Sequence, residues 1–235
     1  MTILTMLEER IIGGKTCRLY GVEKPRWLLV QPSARHETES LEEEARQLAA
    51  LTDVPFLLVT IELADWTLEL LPWPDGNISR DPEAGKHAQD TLQYILQELI
   101  PELQYRYGPL PVVLGGYSLG GLFALWASCQ TDAFAAVAAA SPSVWVHGWL
   151  PFAKKNAPRA ARIYLSLGDR EEKVKNQAIA RVGDTLRSYY DLLQKQIGPD
   201  RCTLVWESGG HFNDNAGRLA RAFAWCLPAD GRVVV

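Results

Sequence analysis

This sequence has little to offer a metal, a disulfide or a membrane. Only four of its 235 residues are cysteine and four are histidine. Cys17, Cys129, Cys202 and Cys226 stand far apart, with no CxxC pair and no cysteine–histidine pair at ligand spacing. The expectation is buried free thiols packing as small hydrophobes, with neither a zinc site nor a required disulfide. Charge of one sign is also missing: 24 Lys and Arg stand against 28 Asp and Glu, intermixed along the chain, for a formal charge of −4. Without a basic footprint, neither nucleic acid nor an anionic membrane surface is expected as a partner. No apolar run is long enough to span a bilayer, and the first ten residues carry Glu8, Glu9 and Arg10 where a secretory leader needs an unbroken apolar core. A cytoplasmic location follows as the expectation. Internal repeats and low-complexity segments are absent as well.

What is present is a chain of ordinary globular composition, 47% hydrophobic and 22% charged. Its length suits one domain over 1–235. Two β-rich stretches, near Ile3 to Leu7 and Cys17 to Val22, meet through Gly13-Gly14 and predict an N-terminal antiparallel hairpin. From Trp27 the pattern becomes strand–helix alternation. Short apolar runs at Trp27–Val30, Val54–Ile61, Pro111–Leu114, Phe134–Ala138, Arg162–Leu167 and Cys202–Trp206 read as strands buried on both faces.

Between them lie helical patterns. The first has Ser40 and Glu43 at capping-box spacing before Leu41, Ala45 and Leu48. The second carries Ala88, Leu92, Leu96 and Leu99, and the third runs from Leu119 to Cys129. The fourth has Ile179, Val182, Leu186, Tyr190 and Leu193 on one face, and a last helix is stopped by Pro228. A long Trp- and Pro-containing loop is expected from about Ala64 to Pro82. The class is α/β, with a mostly parallel central sheet, helices on both faces and no large cap domain.

One junction carries chemistry. Val112-Val113-Leu114-Gly115-Gly116-Tyr117-Ser118-Leu119-Gly120-Gly121 joins a buried strand to an apolar helix through G-x-S-x-G. This is the pattern of a nucleophile elbow, where the chain reverses so tightly that small residues must stand two before and two after the serine. The turn lifts the Ser118 hydroxyl above the carboxyl end of the sheet and presents the Leu119 N–H to a developing oxyanion. A triad serine needs a base after the last strand; His211, in Glu207-Ser208-Gly209-Gly210-His211-Phe212, stands there on a glycine-loosened loop. His36 and His87 precede the serine, and His147 precedes the turn where an acid belongs. That turn reads Gly168-Asp169-Arg170-Glu171-Glu172, and its three carboxylates compete for the role.

In order along the second half of the chain, four motifs resemble the putative-esterase family of α/β hydrolases, which includes enterochelin-esterase-like and esterase-D-like enzymes. They are Gly-Gly-Tyr-Ser118-Leu-Gly-Gly, Ser141-Pro142-Ser143-Val144-Trp145, Gly168-Asp169-Arg170-Glu171 and Gly209-Gly210-His211-Phe212. The resemblance implies an α/β-hydrolase fold with Ser118 as nucleophile, His211 as base and Glu171 as acid. In the common form of the acid turn the carboxylate lies three positions after the strand-end glycine, a count that reaches Glu171 from Gly168. Asp169 then suits a helix cap, and Glu172 points elsewhere.

One departure concerns the oxyanion hole. Where many of these enzymes have His-Gly after the first parallel strand, this chain has Val30-Gln31-Pro32-Ser33. Pro32 has no N–H, so the second donor is expected from Ser33 or a neighbour. Tyr117 and Trp145 are candidate walls of a substrate pocket, and Trp66 and Trp73 sit on a loop that could overhang it. The expected activity is cofactor-free cleavage of a carboxylic ester of a small molecule. The rivals are an acyltransferase or thioesterase using the same triad, and a non-catalytic binding module on the same fold.

Overall fold

The computed structural model describes residues 6–34 and 38–227. Its eight-stranded sheet comprises β1 (Met6–Ile12), β2 (Lys15–Gly21), β3 (Trp27–Ser33), β4 (Phe56–Glu62), β5 (Val112–Tyr117), β6 (Ala136–Ala140), β7 (Arg162–Gly168) and β8 (Cys202–Glu207), in the order β1-β2-β4-β3-β5-β6-β7-β8. The β1–β2 and β2–β4 pairs are antiparallel and the others parallel. Gly13 and Gly14 both take positive φ, 51° and 83°, the conformation that a two-residue hairpin turn requires. β1 is the sheet edge. From β3 the chain steps outward to β4, then returns past β3 to β5 and proceeds to β8. The crevice at the carboxyl ends of β3 and β5 is therefore a topological switch point, where ligands bind in open α/β sheets.

Side chains alternate across the strands into two cores. On one face, α1 (Thr38–Leu51) and α9 (Asn215–Cys226) lay Leu41, Ala45, Leu48, Leu219, Ala222 and Phe223 over Leu29, Leu58, Val113 and Ala138. The other face, lined by Leu28, Val30, Val59, Leu114 and Leu165, is covered by α2 (Trp66–Leu70), α3 (Ala88–Tyr94), α4 (Ile100–Tyr107), α5 (Leu119–Gln130), α6 (Trp149–Lys155) and α8 (Val182–Ile197). A one-turn helix, α7 (Gln177–Ala180), precedes α8. The longest connection, 63–111, is filled by α2, α3 and α4 packing on the sheet, so it builds no cap domain.

Several boundaries differ from the sequence expectation. β1 begins at Met6, while Ile3 to Thr5 and Pro228 lie outside the described residues. α1 starts at Thr38, which places Ser40 inside the first turn; Glu43 instead receives a bond from Gln47 (2.5 Å) and pairs with Arg46. The 64–82 loop holds α2, capped by Asp65, whose carboxylate accepts from the Thr67 and Leu68 N–H groups at 2.9 and 2.8 Å. Between α3 and α4 the helix widens into a π turn over Ile95–Leu99. Pro101 explains it: without an N–H, and with a ring that crowds the carbonyl four residues back, it cannot continue an ordinary α turn. α6 was not expected, because Pro151 breaks its pattern, yet a proline is tolerated in a first turn. The fourth helical pattern divides at Arg181, and Tyr189 rather than Tyr190 is its buried tyrosine.

Candidate active site

Ser118 joins β5 to α5 with φ 56° and ψ −117°, a conformation costly for any residue with a Cβ. Backbone bonds hold it there. Its N–H donates to the Ala140 carbonyl (3.0 Å), while its carbonyl accepts from Ser143 (3.0 Å) and Leu122 (3.1 Å). A Cβ on Gly116 would stand 2.4 Å from the Gly120 carbonyl carbon, so the chain crossing leaves room only for glycine. At Gly120 the nearest atoms to an added Cβ are Pro32 Cγ at 3.2 Å and the Trp66 ring at 3.4 Å, a far softer limit.

The structure brings the three sequence-expected residues into one chain of hydrogen bonds. The Ser118 hydroxyl is 3.0 Å from His211 Nε2, and His211 Nδ1 is 2.7 Å from Glu171 Oε2. Burial increases inward along this chain: the His211 side chain is 31% exposed, that of Glu171 4%. Glu171 opens a single 3₁₀ turn after β7, and its other oxygen accepts from the Gly168 N–H (2.8 Å), the Ser141 hydroxyl (2.7 Å) and Arg218 Nη1 (2.8 Å). Burial pushes this carboxyl up, but the bonds from His211, Ser141 and Gly168 outweigh it and hold it below the ordinary carboxylate range.

The rival carboxylates are occupied elsewhere. Asp169 caps no helix; it accepts from the Gly209 N–H (2.8 Å) and so braces the histidine loop. Glu172 turns to Arg187 at 2.9 Å.

The other expectations fare unevenly. Tyr117 does line a cleft of about 120 Å³ beside the elbow, with Pro32, Trp66 and Leu219. Its phenol, however, is committed to the protein: it donates to the His211 carbonyl at 2.7 Å and accepts from Arg218 at 3.0 Å. Trp145 packs, partly buried, against the larger core. The residue of its loop that reaches the nucleophile is Ser143, with Oγ 3.3 Å from Ser118 Oγ. Trp66 overhangs the elbow at Gly120, whereas Trp73 stacks on Trp149 and donates to the His147 carbonyl at 2.7 Å.

The Leu119 N–H, first in α5, has no intrahelical acceptor. The Ser33 N–H is committed to the sheet. Ser33 pairs with Glu62 in the β3–β4 ladder, and its carbonyl accepts from the Leu63 N–H at 3.1 Å. In a parallel ladder such a residue also donates to the neighbouring strand, here toward the Ile61 carbonyl, which turns the Ser33 N–H away from Ser118.

Sequence reasoning passed over Arg218, which is fully buried and reaches Glu171, Ser141, Tyr117 and the carbonyls of Ser208 and Gly210. The available signal was a charge on the apolar stripe that continues through Leu219, Ala222 and Cys226. Among the described residues no group of three or more His, Cys, Asp or Glu is placed to hold a metal ion. Nor is any described helix long and apolar enough to cross a membrane.

A mostly parallel sheet sandwiched between helices, with a serine elbow at the carboxyl end of its fifth strand, is an α/β-hydrolase fold. Similar solved structures share it. A siderophore hydrolase, EstB from Aspergillus nidulans, superimposes with a TM-score of 0.70 at 16% identity, covering 95% of this chain and 94% of its own. The enterobactin esterase FES from Shigella flexneri gives 0.67 at 20% identity over 94% of this chain and 59% of its own. A cold-adapted esterase from an Arctic intertidal metagenomic library gives 0.58 at 15% identity over 96% and 92%. Among curated proteins none matches the sequence. The family model described as Putative esterase matches residues 44–212, well over half of the chain, and the protein belongs to that family: it is an esterase-type hydrolase.

Proposed function

We propose that the protein hydrolyses a carboxylic ester of a small molecule through a Ser118–His211–Glu171 triad and an acyl-enzyme. The observation that carries this reading is the unbroken path from the strained Ser118, through a half-buried imidazole at 3.0 Å, to a buried carboxylate at 2.7 Å. Ser118 Oγ attacks the ester carbonyl carbon as its proton passes to His211 Nε2, and the oxyanion forms against the Leu119 N–H. Glu171 holds the Nδ1 proton and stabilises the imidazolium. Collapse breaks the ester C–O bond, and the departing alcohol takes the proton from Nε2. Water then gives a proton to His211 as it attacks the acyl carbon, and Ser118 recovers that proton as the carboxylic acid leaves.

The fold likeness to a siderophore hydrolase and an enterobactin esterase makes siderophore-type esters the first to try, beside simple acyl esters of graded chain length. A fluorophosphonate should label the folded protein once, and Ser118→Ala should abolish both labelling and turnover. An adduct mapped by peptide mass to Ser141 or Ser143 would overturn the assignment, and no adduct at all would return the protein to a binding role.

A further inference from the structure

Arg218 contributes a charged side chain with no exposed surface, an arrangement that is expensive unless the charge is met and its donors are used. Here they are. Nη1 donates to Glu171 Oε1 (2.8 Å), Ser141 Oγ (3.0 Å) and the Tyr117 phenol (3.0 Å), and Nη2 to the carbonyls of Ser208 and Gly210, both at 3.1 Å. These partners come from β5, the loop after β6, the turn after β7 and the loop after β8. One planar guanidinium thus binds the acid and brackets the histidine from both sides, through Gly210 directly and through Tyr117, which holds the His211 carbonyl itself (2.7 Å). Arg221, one turn on, stays at the surface with Glu207 and Asp214.

We infer that Arg218 is the positioning residue of this active site: it locks Glu171 and the histidine loop in one register, and its charge offsets that of the buried carboxylate beside the imidazole. The inference rests on the triad proposed above. Arg218 touches no substrate; it acts through Glu171 and His211. A misplacement of about 1 Å in a catalytic group costs on the order of 10² in rate, which is the loss expected when the fork is removed.

The test compares wild type, Arg218→Lys and Arg218→Gln on one ester, with rates divided by active sites counted with a fluorophosphonate. Arg218→Lys keeps the charge and loses the fork: kcat should fall about 10²-fold with KM within about threefold. Arg218→Gln should lose at least as much. Should Arg218→Gln not fold, Tyr117→Phe, which removes the link to the His211 carbonyl and keeps the core, is expected to cost about tenfold in kcat at unchanged KM. Wild-type kcat per titrated site in Arg218→Lys overturns the inference, because a guanidinium that only supports the fold would change the number of active sites and not their turnover. Wild-type protein that takes no label defeats the triad instead, and is seen before any variant is made.

Discussion

Three carboxylates crowd the turn after β7, and their surroundings separate them. Glu171 is buried and bonded to His211, Ser141 and Gly168; Asp169 holds the Gly209 N–H; Glu172 pairs with Arg187. Losing the carboxylate that orients a catalytic imidazole costs up to ~10⁴ in turnover. Glu171→Gln should show a loss of that order, while Asp169→Asn, which keeps the acceptor for Gly209, and Glu172→Gln stay within about tenfold of wild type. Steady-state kinetics on the three variants decides it, and the reverse ranking would reassign the acid. The same carboxyl should leave a trace in stability. Its folded-state pKa is depressed, so its ionised form stabilises the fold above the ordinary value of ~4.3, and that contribution is lost as pH falls through the depressed value. Wild type should therefore lose Tm relative to Glu171→Gln on going from pH 7 to about 3. A constant difference between the two melting curves would show that the bonds to Glu171 add nothing to folding.

The elbow makes unequal demands on the two glycines that the G-x-S-x-G pattern treats alike. A methyl at Gly116 meets backbone at 2.4 Å and has nowhere to go, whereas one at Gly120 meets a proline ring edge and an indole that can each yield by a few tenths of an ångström. Gly116→Ala should cost at least the ~1–3 kcal/mol of an overpacked core, read from urea unfolding, and should leave little protein that a fluorophosphonate can label. Gly120→Ala should fold and keep its label; comparable losses in both would mean that the strand-to-helix crossing is looser than its contacts imply. Such differences mark what a sequence can and cannot carry. Elbow, histidine loop and acid turn were legible because each is a short run whose residue types follow from its own backbone. The π turn was not, because one proline changes the helix several residues before it. Ser33 failed as an oxyanion donor because strand pairing, invisible in the local sequence, decides which way its N–H faces. Arg218 was passed over because its partners come from four separate segments: its place on the apolar stripe of α9 signals burial but not what it meets.

All four cysteines are free and buried: Cys17 and Cys202 in the larger core, Cys226 in the smaller, and Cys129 on α5, where its thiol faces the Leu125 and Asn156 carbonyls. Burial pushes the thiols of Cys129 and Cys226 up to about 12. A disulfide reagent at neutral pH should find almost no reactive thiol in the native protein and four after denaturation in guanidinium chloride, with Tm unchanged by reductant. Rapid native reaction of any of them would place that thiol outside the packing described. The alternation of strands and helices was readable along the chain, but the order of strands in the sheet was not, since it depends on which face each crossover takes.

One consequence of that order concerns synthesis. α9 follows β8 in the chain, yet it lies on β5, β6 and β7 and against α1, so the sheet beneath it must exist before it can seat. Emerging from a ribosome, Ser118, Glu171 and His211 are all made before the guanidinium that joins their loops. A chain released between residues 211 and 218 would carry the whole proposed triad and still lack the cation beside its acid and the tether on its histidine loop. On the proposed triad, activity would then arrive with the docking of one late helix, not with the translation of His211.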